Sequence, residues 1–79
     1  MEMIAMSGIE WEMENLPKII RKRKMRLKNL QYMFNIAKSK NDFDQIIAIE
    51  KDYINEIQLL DFNLKQLASA SETFKSINA

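Results

Sequence analysis

Two long stretches of the chain place apolar residues at alternating steps of three and four, a pattern that predicts α-helix. They cover residues 16 to 38 and 43 to 74, and only a polar linker, residues 39 to 42, separates them. A linker this short joins antiparallel neighbours, so the pattern predicts a helical hairpin. We therefore expect an all-α fold in which residues 1 to 79 form a single helical domain.

The ends of the predicted helices carry capping signals. Ser7, with a glutamate three residues later, has the spacing of a capping box and predicts a helix start. Pro17 lacks a backbone donor and crowds the preceding turn. A short first helix over residues 7 to 15 is therefore expected to end near Asn15, which would cap the long helix. Asp42, with a glutamine three residues later, repeats the capping spacing before the last helix.

Both long helices show a heptad seam typical of coiled-coil packing. In the first it comprises Leu16, Ile20, Arg23, Leu27, Leu30, Phe34 and Ala37. In the last it is predicted to comprise Phe43, Ile46, Glu50, Tyr53, Ile57, Leu60, Leu64 and Leu67. Residues equidistant from the turn lie level across the hairpin, as Leu27 and Tyr53 do. The last helix outruns its partner, so the short first helix is expected to pack on the same seam.

Arg23 and Glu50 interrupt these apolar seams, and a buried charge needs a counter-ion. The two lie about one heptad apart along the hairpin, roughly 10 Å, and are not expected to pair. Arg26 lies about one turn from Glu50 and is expected to bind it. Alternatively, Arg23, Arg26 and Glu50 meet a partner chain and set its register.

The net charge of +1 conceals a segregation of charge along the chain. Residues 18 to 28 hold seven bases and no acid, whereas residues 42 to 61 hold six acids and one base. Such blocks indicate a solvated face or charge pairing within the molecule, here of Lys24 with Glu56 and of Lys28 with Asp52. The alternatives are an acidic protein partner and phosphate contact by a nucleic-acid-binding set: Lys18, Arg21, Lys22, Lys24 and Lys28. No aromatic residue is interleaved with the basic run, which favours pairing within the molecule.

The composition argues against an enzyme. The chain has no Cys and no His, which removes thiolate zinc sites and the commonest general base. It has no Gly-rich phosphate loop, and its N-terminal glutamates suit a helix dipole. We therefore expect no catalytic residue, metal site or cofactor. The first six residues do not resemble a signal peptide and no window is long and apolar enough to span a bilayer, so we expect a cytoplasmic protein.

The predicted helices carry more apolar residues than one seam can cover. The surplus predicts a partner-binding surface whose first choice is Met25, Tyr32, Met33 and Ile36, and whose second choice is Ile47, Ile54, Leu59 and Phe62. We therefore predict a non-enzymatic protein-binding module, an adaptor, chaperone or inhibitor, that packs an amphipathic segment of a partner protein on these faces. The alternatives are a small nucleic-acid-binding or regulatory protein with a basic patch, and a structural homodimer.

In size and hairpin architecture the chain is similar in outline to the small co-chaperones of type III secretion needle subunits. Its Asp-Phe-Asp-Gln sequence, residues 42 to 45, also resembles the acidic helix entry of the aspartyl-phosphate phosphatases of sporulation. The Ser-Gln-Glu-Leu-Asp signature of those phosphatases is absent. Both resemblances concern shape, and shape does not determine function.

Overall fold

The computed structural model describes the backbone of residues 2 to 78 and the side chains of residues 8 to 77. Over this range the chain forms two α-helices, α1 (Glu2–Ser39) and α2 (Phe43–Asn78), which pack along each other. The predicted all-α hairpin is confirmed. The molecule measures 55 × 22 × 14 Å, so it is a single layer of helices. Over the described residues, neither helix contains an apolar stretch long enough to cross a membrane.

The turn closes both helices with local hydrogen bonds. Asn41 adopts a left-handed conformation with φ of 55°. The Asp42 amide then donates to the Ala37 carbonyl at 3.0 Å and the Asn41 amide to the Lys38 carbonyl at 3.1 Å, which completes a Schellman motif at the end of α1. The Asp42 carboxylate accepts from the Gln45 amide at 3.3 Å. The predicted cap of α2 is therefore confirmed.

Helix α1 is continuous through Pro17, so the predicted separate first helix is not confirmed. The helix begins before the predicted cap at Ser7, and Asn15 lies inside it, where its side-chain amide donates to the Trp11 carbonyl at 2.9 Å. A proline inside a helix costs about 3 kcal/mol. Leu16, the next residue before the proline, is only 2% exposed. Packing of α1 on α2 therefore extends through this region and offsets the local penalty.

Helix α2 also runs further than predicted, to Asn78 and not to residue 74. Its C-terminal part takes part in the seam, since Ala70 is buried and Leu67 and Ser71 are half-buried. On α1, Ile9 and Met13 are half-buried. The N-terminal region therefore packs on the overhang of α2, as predicted, but it does so as part of the long helix α1 and not as a separate helix.

The seam predicted for α1 is confirmed. Its buried members are Leu16, Ile20, Leu30 and Ala37, and its half-buried members are Arg23, Leu27 and Phe34. They meet α2 in a core centred on Leu30, Ala37 and Ile49, with Phe34, Ile46 and Tyr53 packed around it.

The seam predicted for α2 is right at every second position and wrong at the others. Ile46, Tyr53, Leu60 and Leu67 are half-buried, as predicted. The remaining seam positions are Ile49, Glu56, Asn63 and Ala70, which are buried, whereas the predicted Phe43, Glu50, Ile57 and Leu64 are exposed. Helix α2 is thus rotated about its axis by roughly 50° from the predicted orientation.

Candidate functional site

The rotation of α2 brings a polar cluster into the seam. Arg23 donates from Nη1 to Glu56 Oε1 at 2.7 Å and from Nε to Asn63 Oδ1 at 2.6 Å. Asn63 in turn donates from Nδ2 to Gln66 Oε1 at 3.0 Å. Arg26 Nε lies 3.6 Å from Glu56 Oε2, at the solvent-exposed edge of the seam. We call Arg23, Glu56, Asn63 and Gln66 the seam cluster.

The seam cluster satisfies its own polar groups. The Glu56 side chain is only 7% exposed and that of Arg23 is 26% exposed, so the ion pair is largely shielded from water. Among the described residues, no buried side-chain nitrogen or oxygen lacks a hydrogen-bond partner. A buried charge that is paired and hydrogen-bonded can be retained in a core, so the cluster is compatible with a stable seam.

The predicted partner of Arg26 was wrong. Glu50 is exposed and forms no ion pair with any described residue, whereas Glu56 binds both Arg23 and Arg26. Sequence analysis placed Arg23 in the seam but missed its acceptors. Glu56 could have been found from the distance to the turn, because residues equidistant from the turn lie level across the hairpin. The position equidistant with Arg23 is adjacent to Glu56.

A second stripe of apolar side chains on α2 is left uncovered. It comprises Phe43, Ile47, Glu50, Ile54, Ile57, Asp61 and Leu64, which follow each other at alternating steps of four and three. We call it the α2 stripe. Its five apolar side chains are between 43% and 69% exposed. Residues with this spacing share one face of a helix, so the stripe is a continuous surface of about 30 Å.

The α2 stripe borders an open groove between the helices. The groove has a volume of about 310 Å³ and is lined by Phe34, Ile49 and Tyr53 of the seam together with Gln31, Glu50 and Ile54. Two of its lining residues, Glu50 and Ile54, belong to the stripe. A helix laid on the stripe would therefore also cover the accessible edges of the Phe34 and Tyr53 rings.

All eight predicted partner-binding residues are exposed, but they do not form one surface. Ile47 and Ile54 belong to the α2 stripe, beside Phe43, Ile57 and Leu64, which sequence analysis had assigned to the seam. Helical spacing places Met25, Tyr32 and Ile36 on the side of α1 away from the seam. Met33 and Ile36 line a smaller depression of about 160 Å³ near the turn. Leu59 and Phe62 lie on α2 outside the stripe.

The basic residues of α1 are largely unpaired. The predicted pair of Lys24 with Glu56 does not form, because Glu56 is held by Arg23 and Arg26, and the predicted pair of Lys28 with Asp52 does not form either. The five residues proposed for nucleic-acid contact are all exposed: Lys18, Arg21, Lys22, Lys24 and Lys28. None of them lies within 4.0 Å of a carboxylate in the part of the chain that the structure describes.

Comparison of the chain with protein-family models, with curated protein sequences and with solved structures gives no match. Within the described residues, no three acidic side chains are grouped so that they could hold a metal ion. The features that bear on function are therefore the α2 stripe with its groove and the unpaired bases of α1.

Proposed function

We propose that the chain is a non-enzymatic protein-binding module whose α2 stripe receives an amphipathic helix of a partner protein. The supporting observation is the orientation of α2. The hairpin buries Glu56 and Asn63 and leaves Ile57 and Leu64 exposed. A solitary hairpin would remove more apolar surface from water with the opposite choice. The observed orientation is favourable when another helix covers the stripe.

The size of the apolar surface sets the strength of this interaction. Full burial of a large apolar side chain contributes about 1.5–3 kcal/mol. Scaled by their exposed fractions, the five apolar side chains of the stripe would contribute roughly 4–8 kcal/mol in total. Association costs at least about 4 kcal/mol in lost freedom of motion. The stripe alone therefore supports weak binding, and tight binding requires the groove and complementary charge as well.

The stripe also specifies the chemistry of its partner. Glu50 and Asp61 interrupt the apolar side chains, and Glu50 forms no ion pair within the described part of the hairpin. A partner helix with basic residues flanking its apolar positions would be steered to this surface and held in register. Exclusion of water from the stripe provides the affinity, as expected of an adaptor, chaperone or inhibitor.

Affinity capture of the tagged chain from cells, with the mass of each cross-linked complex measured, tests this proposal. Ile54→Asp places a charge in the stripe, and Met25→Asp places one on the outer side of α1 as a matched control. Both residues are exposed, so neither change buries a charge within the hairpin. We expect Ile54→Asp to lose the bound protein and Met25→Asp to retain it. Retention by Ile54→Asp, or loss only in Met25→Asp, would reject the stripe as the binding surface.

The unpaired bases of α1 support a second candidate, binding of nucleic acid. Each phosphate contact lowers the logarithm of the affinity by about 0.7–0.9 per logarithmic unit of salt. Fluorescence anisotropy of labelled single-stranded and duplex oligonucleotides at several salt concentrations measures this slope. The candidate predicts a steep slope that falls when Lys24 and Lys28 are replaced by glutamate. Affinity that is weak and insensitive to salt would eliminate it.

A further inference from the structure

The hairpin exposes more surface than a self-sufficient protein of its mass. Its accessible surface is 6462 Å² at 9.4 kDa. A compact monomer of that mass exposes about 5,000 Å², so the excess is roughly 1,450 Å². Each chain of an obligate dimer buries about 1,000–2,500 Å². The excess therefore matches the area that one chain contributes to a permanent dimer.

The shape agrees with this comparison. The radius of gyration is 17.5 Å, whereas a compact domain of this length has about 11.6 Å. The backbone spans only 14 Å in its shortest dimension, so the hairpin is a single layer of helices. Domains are normally built from two packed layers around a core. A second hairpin of equal length would supply the missing layer along the whole rod.

Resting on the proposed function of the α2 stripe, we propose that its occupant is a second copy of this chain. Two hairpins pack face to face about a two-fold axis parallel to the helices, with the turns at the same end. The stripe, Phe34 and Tyr53 then contribute to the core of a four-helix bundle. Each α2 lies antiparallel to the partner's α1.

Charge selects this orientation over the alternative. Arg21, Lys24 and Lys28 precede Gln31 at steps of three and four, so they lie on the side of α1 that faces the groove. They form no ion pair with any residue that the structure describes, and the stripe beside the groove carries Glu50. A two-fold axis perpendicular to the helices would instead stack α1 on α1 and bring these bases together.

The seam cluster fixes which charges meet. Arg23 and Glu56 are in direct contact, so they show which residues of α1 and α2 lie at the same height along the hairpin axis. A two-fold axis parallel to the helices preserves this level between copies. Glu50 then lies within one residue of the level of the partner's Lys28. Asp61 lies three residues from the level of the partner's Arg21, about 4.5 Å along the axis and within reach of its side chain.

Sedimentation velocity over the micromolar concentration range tests the inference with Glu50→Lys, Lys28→Glu and the double variant. Both residues are exposed and form no ion pair with another described residue, so far-ultraviolet circular dichroism should show unchanged helix in every variant. We expect a dimer for the wild type and a dissociation constant at least about tenfold higher for each single variant, because the like-charge contact occurs twice. The double variant, and an equimolar mixture of the two single variants, should return to within about threefold of the wild type.

A wild-type chain that stays monomeric throughout this range would overturn the second copy as occupant. The proposed function would survive that result if capture of a different protein still depended on Ile54, and would fail with it if capture did not. A dimer that is insensitive to both single variants would overturn the face-to-face orientation. A single-variant defect that the mixture does not repair would do the same.

Discussion

Replacement of Glu56 by glutamine tests whether the seam cluster holds the hairpin together. Glutamine has the same shape and keeps one acceptor oxygen, so the change removes charge and leaves packing in place. The carboxylate accepts from Arg23 Nη1 at 2.7 Å and 3.3 Å and lies 3.6 Å from Arg26 Nε. The variant therefore replaces an ion pair by a hydrogen bond from the charged guanidinium to a neutral amide oxygen, and it leaves both arginines without a counter-ion.

The expected loss follows from these contacts. Hydrogen bonds to charged groups contribute about 1.5–3 kcal/mol and neutral ones about 0.5–1.5 kcal/mol, and the variant removes the charge of the acceptor while the arginine donor stays charged. Arg23 keeps Asn63 and is 26% exposed, so water compensates part of the lost charge. We expect Glu56→Gln to lower the free energy of unfolding by about 1–2 kcal/mol. For a domain of this size, that corresponds to a fall in Tm of about 4–16 °C.

Thermal and urea unfolding followed by circular dichroism, at one protein concentration for all variants, measures the loss. Glu72→Gln is the matched control, because Glu72 is exposed, forms no ion pair with any described residue and lies outside the α2 stripe. Its expected effect is within about 0.5 kcal/mol. Equal losses in the two variants would show that the cluster has no special role. A Glu56→Gln variant as stable as the wild type would refute the reasoning.

Two further predictions concern the seam cluster and the turn. Joint replacement of Arg23, Glu56 and Asn63 by leucine should leave the unfolding free energy unchanged or raise it by about 1–4 kcal/mol, because buried ion pairs seldom outperform apolar packing; a marked decrease in urea unfolding would contradict this. Asn41→Ala should destabilise the hairpin by about 1 kcal/mol because its left-handed φ is costly for alanine, whereas Asn41→Gly should not destabilise it; equal Tm values for the two variants would argue against strain at this residue.

The fold is predictable from the sequence where one local signal decides the structure. The seam of α1 has a single apolar phase, and the turn has a capping residue, Asp42, directly before an apolar run. The helix break predicted at Pro17 was wrong, because packing of Leu16 in the seam outweighs the local preference of proline. Propensity is a weak prior that tertiary contacts override. The surplus of apolar surface was predicted, including Ile47 and Ile54 of the stripe, but Phe43, Ile57 and Leu64 were predicted in the seam.

The orientation of α2 could not be read from hydrophobicity. Two different heptad patterns can be drawn on α2, and each selects a different set of residues to face α1. Both sets contain Ile46, Tyr53, Leu60 and Leu67, and they differ only in the positions between them. The apolar pattern favours the phase containing Ile57 and Leu64. The structure adopts the phase containing Glu56 and Asn63, which supply acceptors for Arg23 across the seam. The need of Arg23 on α1 for hydrogen-bond acceptors thus decided which face of α2 packs against α1.

The seam cluster and the α2 stripe are two consequences of that one orientation. When Glu56 faces Arg23, Ile57 faces outward. Arg23 then also binds the carboxylate that Lys24 was expected to bind. The polar contacts of the seam cluster therefore fix how α1 and α2 align. The α2 stripe and the bases of α1 that form no ion pair with described residues then lie on the surface of the hairpin. An all-apolar seam would make two phases of α2 nearly equivalent, and one of them would hide the stripe. The buried charges therefore keep the α2 stripe exposed, a specificity role that buried polar residues perform in coiled coils.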